Sequence, residues 1–308
     1  MDLSAEAFGN VRDLHVQGAE LRGEDLWPEG SYFEQLGRRE FEPGDVAEIF
    51  HENTKGGPVH DRRQSGSTAK LAEEGLSYVL ANIEQDYRGS ELVELPEDPG
   101  VESADAFDVL DQRRSVRRYA DAPVSLSTLS ALLRYGCGVS GTVTDAAGNE
   151  KALRTYPSGG GLYPVELYPV VLDVDGVESG LYYYSVAEHG LRRLRTGDDG
   201  FSEAFEDALV TSDQLNLADA PVVFVMTGAF WRSKSKYGPR GYRYVLQESG
   251  HLAQNLLLAA EALGLGGVPA AAFDDRKMNA LLDVDGVDEA VVYAVGVGHP
   301  ADEAVSAP

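Results

Sequence analysis

The chain has 308 residues, 43% of them hydrophobic, and sets 26 basic against 51 acidic side chains for a formal net charge of −25. That length can bury a full core as one large or two ordinary domains, and so large an acidic excess repels phosphate backbones and excludes general nucleic-acid binding. No apolar run reaches the ~20 residues of a membrane helix, the start Met1-Asp2-Leu3-Ser4-Ala5-Glu6 lacks the basic and apolar regions of a signal peptide, and the one cysteine, Cys137, allows no internal disulfide; the expectation is a soluble cytoplasmic protein without nucleic-acid or membrane partners.

Residues 1 to about 45 have weak periodicity, with Trp27, Tyr32, Phe33, Leu36 and Phe41 available to pack on a larger body. Residues 43–52 read as a short helix with Val46, Ile49 and Phe50 on one side. His51 reads as a surface or packing residue, since no His or Cys stands at metal spacing from it. Residues 76–86 read as a helix and 86–105 as a connector broken by Pro96 and Pro99. From residue 108 a short helix runs into a basic turn ending at Tyr119. Residues 125–136 form a helix capped by Ser125, with leucines at three- and four-residue steps and Gly136 as its end.

Residues 138–151 read as a mobile loop. Tyr156-Pro157-Ser158-Gly159-Gly160-Gly161-Leu162-Tyr163-Pro164 follows. Three glycines between prolines exclude helix and central strand; glycine permits φ > 0 and close approach of a ligand to the main chain, and the prolines stiffen the loop. A tight turn and a cofactor-lining loop both suit this stretch. It feeds a strand at 165–172. A second strand spans 180–185, with 191–195 as its hairpin partner; 201–209 is a helix, and 221–227 a β-branched, uncharged, buried strand. Residues 242–263 are the longest helix, with Val245, Ser249, Leu252, Leu256, Ala259 and Leu263 along one side, and 290–297 are the last strand. The interleaving predicts an α+β fold, a sheet covered by helices. Acid spread along the whole chain fits the hydrated surface of proteins from high-salt cytoplasm.

Arg113-Arg114-Ser115-Val116-Arg117-Arg118 is a positive spot in an acidic chain. Its guanidinium forks suit a phosphate, with a serine hydroxyl as a further donor; salt bridges to the abundant carboxylates are the alternative. Lys234-Ser235-Lys236-Tyr237-Gly238-Pro239-Arg240 precedes the long helix. A lysine beside a tyrosine in a cleft can move a proton once burial lowers its pKa; an exposed loop charge is the alternative. Val268-Pro269-Ala270-Ala271-Ala272-Phe273-Asp274 leaves room for a planar ring or, equally, forms a buried strand after a helix end. Six scattered histidines without an H-E-x-x-H pattern give no metal site, and neither a P-loop nor a G-x-G-x-x-G helix start is present.

Taken in order, the arginine cluster, the Pro157-Ser158-Gly159-Gly160 loop and the 268–274 segment resemble the FMN-dependent nitroreductase superfamily. The stretches Thr155 to Pro164, Gly180-Leu181-Tyr182-Tyr183-Tyr184, Lys236 to Tyr244 and Glu248-Ser249-Gly250-His251-Leu252-Ala253-Gln254-Asn255 resemble more narrowly its SagB/ThcOx branch, the azoline dehydrogenases of thiazole/oxazole-modified peptides. The resemblance implies a mostly antiparallel central sheet covered by helices over 105–300, preceded by an N-terminal extension (1–104) and followed by a short tail (301–308). It implies a homodimer with FMN at the subunit interface, Arg113, Ser115 and Arg117 on the phosphate and ribityl chain with Arg114 beside them, and Pro157, Ser158, Gly159 and Gly160 along the isoalloxazine. Gln214 would touch the pyrimidine edge, and Pro269, Ala271 and Ala272 would lie by the ring with a backbone N–H near N5. Lys236 and Tyr237 match the pair implicated in dehydrogenation: Lys236 would take the Cα proton, Tyr237 would orient or relay it, and hydride would pass from Cβ to the flavin, with O2 the final acceptor. A modified peptide and a cyclodehydratase are the implied substrate and partner. An NAD(P)H-fed nitro- or quinone reductase and a flavin-bearing scaffold subunit are the rival readings. The tail carries no Lys or Arg, so Arg240 or Arg243 is expected to help neutralise the phosphate.

Overall fold

The computed structural model describes residues 46–56, 84–144, 148, 150–209 and 215–301. Gln214, the aromatic residues before position 45, most of the 76–86 helix expected from the sequence and the tail from residue 302 lie outside the described residues. The chain divides into two units, residues 1–56 and 57–308. In the first, helix α1 (Val46–Asn53) carries His51 on an exposed position.

The second unit runs β1 (Leu92–Glu94), α2 (Ala106–Gln112), β2 (Val124–Ser125), α3 (Leu126–Cys137), β3 (Val139–Thr144), β4 (Glu150–Arg154), β5 (Val165–Val171), β6 (Val174–Asp175), β7 (Gly180–Ser185), β8 (Gly190–Thr196), α4 (Asp199–Ala208), β9 (Val222–Ala229), α5 (Phe230–Tyr237), α6 (Gly241–Ala262), β10 (Gly266–Ala270), α7 (Asp275–Leu282) and β11 (Glu289–Gly298). Seven strands form one sheet in the order β1-β8-β7-β5-β9-β11-β10, every neighbouring pair antiparallel. Strands β5 and β9 are buried at every position, because helices cover both faces. Val165, Leu167, Phe224 and Met226 pack with Leu129, Leu132, Leu252 and Leu256 of α3 and α6. On the other face Tyr168, Val170, Val223 and Val225 pack with Phe201, Phe205, Met278 and Leu281 of α4 and α7. The architecture is the α+β, helix-covered antiparallel sheet expected from the sequence.

Four local readings change. Residues 138–151 are largely a β-hairpin, β3 against β4; β3 is exposed at every position, so no alternation of apolar and polar residues marks it. The connector contributes an edge strand, β1, paired with β8. Residues 230–237 form a helix, α5, which puts Lys234 and Lys236 in its last turn instead of a loop. Gly136 lies inside α3 and does not end it: a methyl group there would come within 2.6 Å of Leu256 Cδ2, so glycine is needed for close contact of α3 with α6. Ser125 caps α3 as expected, its hydroxyl accepting the Thr128 N–H at 3.1 Å.

Candidate active site

The glycine stretch makes a single 3-10 turn at Gly159–Gly161. Gly160 and Gly161 sit at φ 68° and 65°, where a side chain is strained, and the turn closes through Gly161 N–H to the Ser158 carbonyl at 3.0 Å. Tyr163 ends the loop at φ 45°; its N–H is accepted by the Ser158 hydroxyl at 2.8 Å. Beneath the loop, Arg232 of α5 forms a buried ion pair with Glu166 of β5 at 2.6 Å and donates to the Tyr163 carbonyl at 2.6 Å. The Tyr183 hydroxyl donates to the other Glu166 oxygen at 2.9 Å. This network ties the start of α5 to the end of the loop, which aims the next turn of α5 back over it.

Lys236 and Tyr237 occupy that turn. A methyl group on the Gly160 α-carbon would lie 2.4 Å from Lys236 Nζ and 2.6 Å from the Tyr237 hydroxyl. The amine and the phenol therefore converge on one small volume that only a glycine leaves open. Lys236 is half-buried, and burial, then the nearby charge of Lys151 on β4, pull its pKa below the ordinary lysine value. Burial holds the Tyr237 hydroxyl above the usual phenol value, so it remains protonated and a donor. The Tyr237 ring meets Tyr244 edge-on with centroids 4.9 Å apart, and Arg240 Nε donates to the Tyr244 hydroxyl at 3.1 Å. Arg240 thus belongs to the loop side of the fold. His251 completes this side, its ring nitrogen donating to the Pro157 carbonyl at 3.4 Å.

The arginine cluster sits elsewhere. Ser115 bridges to Gly267 of β10, and Val116 N–H donates to the Gly267 carbonyl at 3.0 Å. Arg114 turns onto the main chain, donating to the Asp111 and Arg113 carbonyls at 2.7 and 3.0 Å. Among the described residues, the Arg113 and Arg117 guanidinium groups form no ion pair, despite the acidic composition. Pro269 lies in β10 two residues from Gly267, and Ala271 and Ala272, four and five residues along, are exposed, about 13 and 17 Å of extended chain away.

The sheet register measures the gap between the two groups. Ser115 is level with Gly267, Gly267 with Val297, Val297 with Val222 and Val222 with Val171, whereas the glycine loop enters β5 at Val165. Six residues of strand, about 20 Å, separate Ser115 from the loop along the sheet, and four strand spacings, about 19 Å, separate them across it; β10, which carries Pro269, lies three spacings, about 14 Å, from β5. Helix α6 agrees by a second route: Tyr244 neighbours Gly159 and Leu257 neighbours Gly267, thirteen residues or about 20 Å of helix. The chain thus keeps two groups apart: Arg113 and Arg117 near Gly267 on the β10 side, and the glycine loop with Lys236 and Tyr237 at the start of β5.

A profile of the nitroreductase family matches residues 110–299, well over half of the chain; the chain belongs to the nitroreductase family. Within it, 186 residues are 39% identical to MJ1384 of Methanocaldococcus jannaschii, a protein named for the same family, over 60% of this chain and 88% of that one. The trifolitoxin-processing protein TfxB of Rhizobium leguminosarum bv. trifolii is 30% identical over 56% of this chain and 46% of its own length. The microcin B17-processing protein McbC of Escherichia coli is 29% identical over 43% and 49%. The chain spans about half the length of these two, whose similarity supports the SagB-type branch. A nitroreductase structure from Anabaena variabilis superposes with a TM-score of 0.57 at 27% identity, over 71% of this chain and 43% of that one.

Sequence reasoning missed Glu248, Arg232 and Lys151. Glu248 stands in the stretch Glu248 to Asn255 that carries part of the resemblance, and its mid-helix acid was the available signal; nothing local marks Arg232 or Lys151.

Proposed function

We propose that the protein is an FMN-dependent oxidoreductase of the SagB/ThcOx type that dehydrogenates an azoline ring in a modified peptide to the azole. The observation that carries this reading is the convergence of the Lys236 amine and the Tyr237 hydroxyl over the bare α-carbon of Gly160. The peptide-processing names of TfxB and McbC support the same substrate class. The residues fit FMN. Two guanidinium groups without carboxylate partners suit a phosphate, Gly159 and Gly160 set bare backbone beneath Lys236 and Tyr237, and the short side chains of Ala271 and Ala272 are exposed. Arg113, Ser115 and Arg117 would hold the phosphate and ribityl chain, and Pro269, Ala271 and Ala272 would flank the ring. Pro157, Ser158, Gly159 and Gly160 would cover the ring from a second copy of the chain, because within one chain the loop lies about 14 Å across the sheet from β10 and farther still from the arginines, too far for both to hold one FMN. A two-fold homodimer then holds two complete sites.

Bound FMN would supply the two-electron acceptor for the hydride leaving azoline Cβ. Lys236 removes the Cα proton, and its lowered pKa raises the neutral fraction able to do so. Tyr237, kept protonated, orients the ring nitrogen or carbonyl of the substrate by hydrogen bonding. The test incubates the full chain with FMN and an azoline-bearing peptide and follows loss of two hydrogens by mass. Wild type converts the peptide; Lys236→Ala retains bound FMN and does not. Unchanged turnover in Lys236→Ala removes Lys236 from the reaction. NAD(P)H oxidation with a nitroaromatic and no peptide conversion would favour the reductase reading, and FMN binding with tight partner association and no turnover the scaffold reading.

A further inference from the structure

Behind the glycine loop lies a carboxyl that the proposed reaction does not use. Glu248 projects from α6 with 3% of its surface exposed. It accepts the Gly159 N–H at Oε1, 2.9 Å away, and the Ser158 side chain beside it favours the ionised form. Its second oxygen, Oε2, is buried with no hydrogen-bond partner. The groups around it are Arg154 of β4, Arg232 and Tyr237 of α5, Tyr156 just before the loop and Tyr244 of α6 itself. Neither guanidinium pairs with it: Arg232 is committed to Glu166 and the Tyr163 carbonyl, and Arg154 lies over the Tyr163 ring. A buried carboxylate with one oxygen unsatisfied is unfavourable, while a protonated acid is a weaker acceptor for the loop.

We propose that Glu248 is a positioning residue of the flavin site, a buried carboxyl that anchors the loop at Gly159 when ionised and loosens it when it takes up a proton. This rests on the flavin reading of the loop. Burial lifts its pKa to about 7, while the Gly159 hydrogen bond, the neighbouring Ser158 side chain and the Arg154 and Arg232 charges act in the opposite direction. The exchange therefore falls within the working range of most enzymes. As pH rises through that value, the Gly159 N–H gains a charge-assisted bond, and the loop is better formed to receive the ring.

Two readouts on the full-length protein test this. In the FMN-free protein with 15N-labelled glycine, the Gly159 amide resonance should titrate with a midpoint near 7, stay flat in Glu248→Gln, and titrate at higher pH in Ser158→Ala, which removes a neighbour that favours the ionised form. FMN affinity measured from pH 5.5 to 8.5 should rise roughly fivefold more in wild type than in Glu248→Gln, the difference between a charge-assisted and a neutral hydrogen bond. Comparing the two proteins cancels the titration of the FMN phosphate, which both share. A Gly159 amide that does not move in wild type, or equal pH dependence of FMN affinity in both proteins, overturns the proposal. Absence of FMN binding by every variant at every pH overturns the flavin reading instead, and is distinguishable because the Gly159 titration is read without FMN.

Discussion

Replacing Gly160 by alanine separates the backbone of the loop from what stands above it. At φ 68° any side chain carries a left-handed penalty of roughly 1–2 kcal/mol. Gly161, at φ 65°, carries the same penalty, yet a methyl group there would meet nothing within 4 Å. At Gly160 the methyl group would lie 2.4 Å from Lys236 Nζ, 2.6 Å from the Tyr237 hydroxyl and 3.2 Å from Lys236 Cε. These are the far ends of flexible side chains, so they move aside and the loop keeps its place. Both variants should lose the same stability, a melting shift of about 2–4 °C per kcal/mol. Only Gly160→Ala should lose turnover, by roughly 100-fold, since displacement of a reacting group by about an ångström has that effect. Thermal melts and azoline-peptide turnover on both variants decide the matter. Wild-type turnover in Gly160→Ala, or an equal loss in Gly161→Ala, refutes the convergence of Lys236 and Tyr237 as the basis of activity.

Arg232→Met strands Glu166 in the core with 2% of its side chain exposed and should lower stability by about 3–5 kcal/mol in urea unfolding, with partial recovery in Glu166→Gln/Arg232→Met; a loss under about 1 kcal/mol would contradict the network. Turnover should rise with pH as Lys236 loses its proton, with an inflection below the ordinary lysine value. Lys151→Ala, which removes a like charge that lowers the Lys236 pKa, should move that inflection upward, and an unmoved profile rejects the coupling. Glu248 has its pKa raised from 4.5 to about 7 by burial, so between those values the folded chain holds a proton the unfolded chain has released. Stability that is present in acid is lost as pH rises through that window. Urea unfolding should show Glu248→Gln more stable than wild type above pH 7 by up to about 3 kcal/mol, with the gap closing toward pH 4.5; a gap independent of pH is the contrary result.

The parts of the fold that were legible are those whose burial has a simple period. The uncharged β-branched run of β9, the Ser125 cap and leucine steps of α3, and the apolar side of α6 each read directly. The hairpin β3–β4 did not, because both its faces meet solvent and nothing selects an alternation. Helix α5 did not, because it is polar and has no capping side chain, and it is held instead by the distant partner Glu166. Gly136 read as a stop because its real reason, the approach of Leu256 from another helix, is tertiary. At the site, composition brought Arg113, Ser115 and Arg117, the glycine loop, and Lys236 with Tyr237 to notice as separate clusters. That Lys236 and Tyr237 meet at Gly160 while the arginines stand across the sheet follows from strand order and register, which no local pattern carries.

The register that parts the arginines from the glycines has a genetic corollary. Two defective alleles, one lacking Arg117 and the other altered at Gly160, damage opposite ends of the same polypeptide. If copies of the chain pair as proposed, one of the two sites in each mixed pair draws both of its halves from undamaged ends. Random mixing makes about half the pairs mixed, so two null alleles should complement to roughly a quarter of normal activity, whereas two lesions at the same end should never rescue each other.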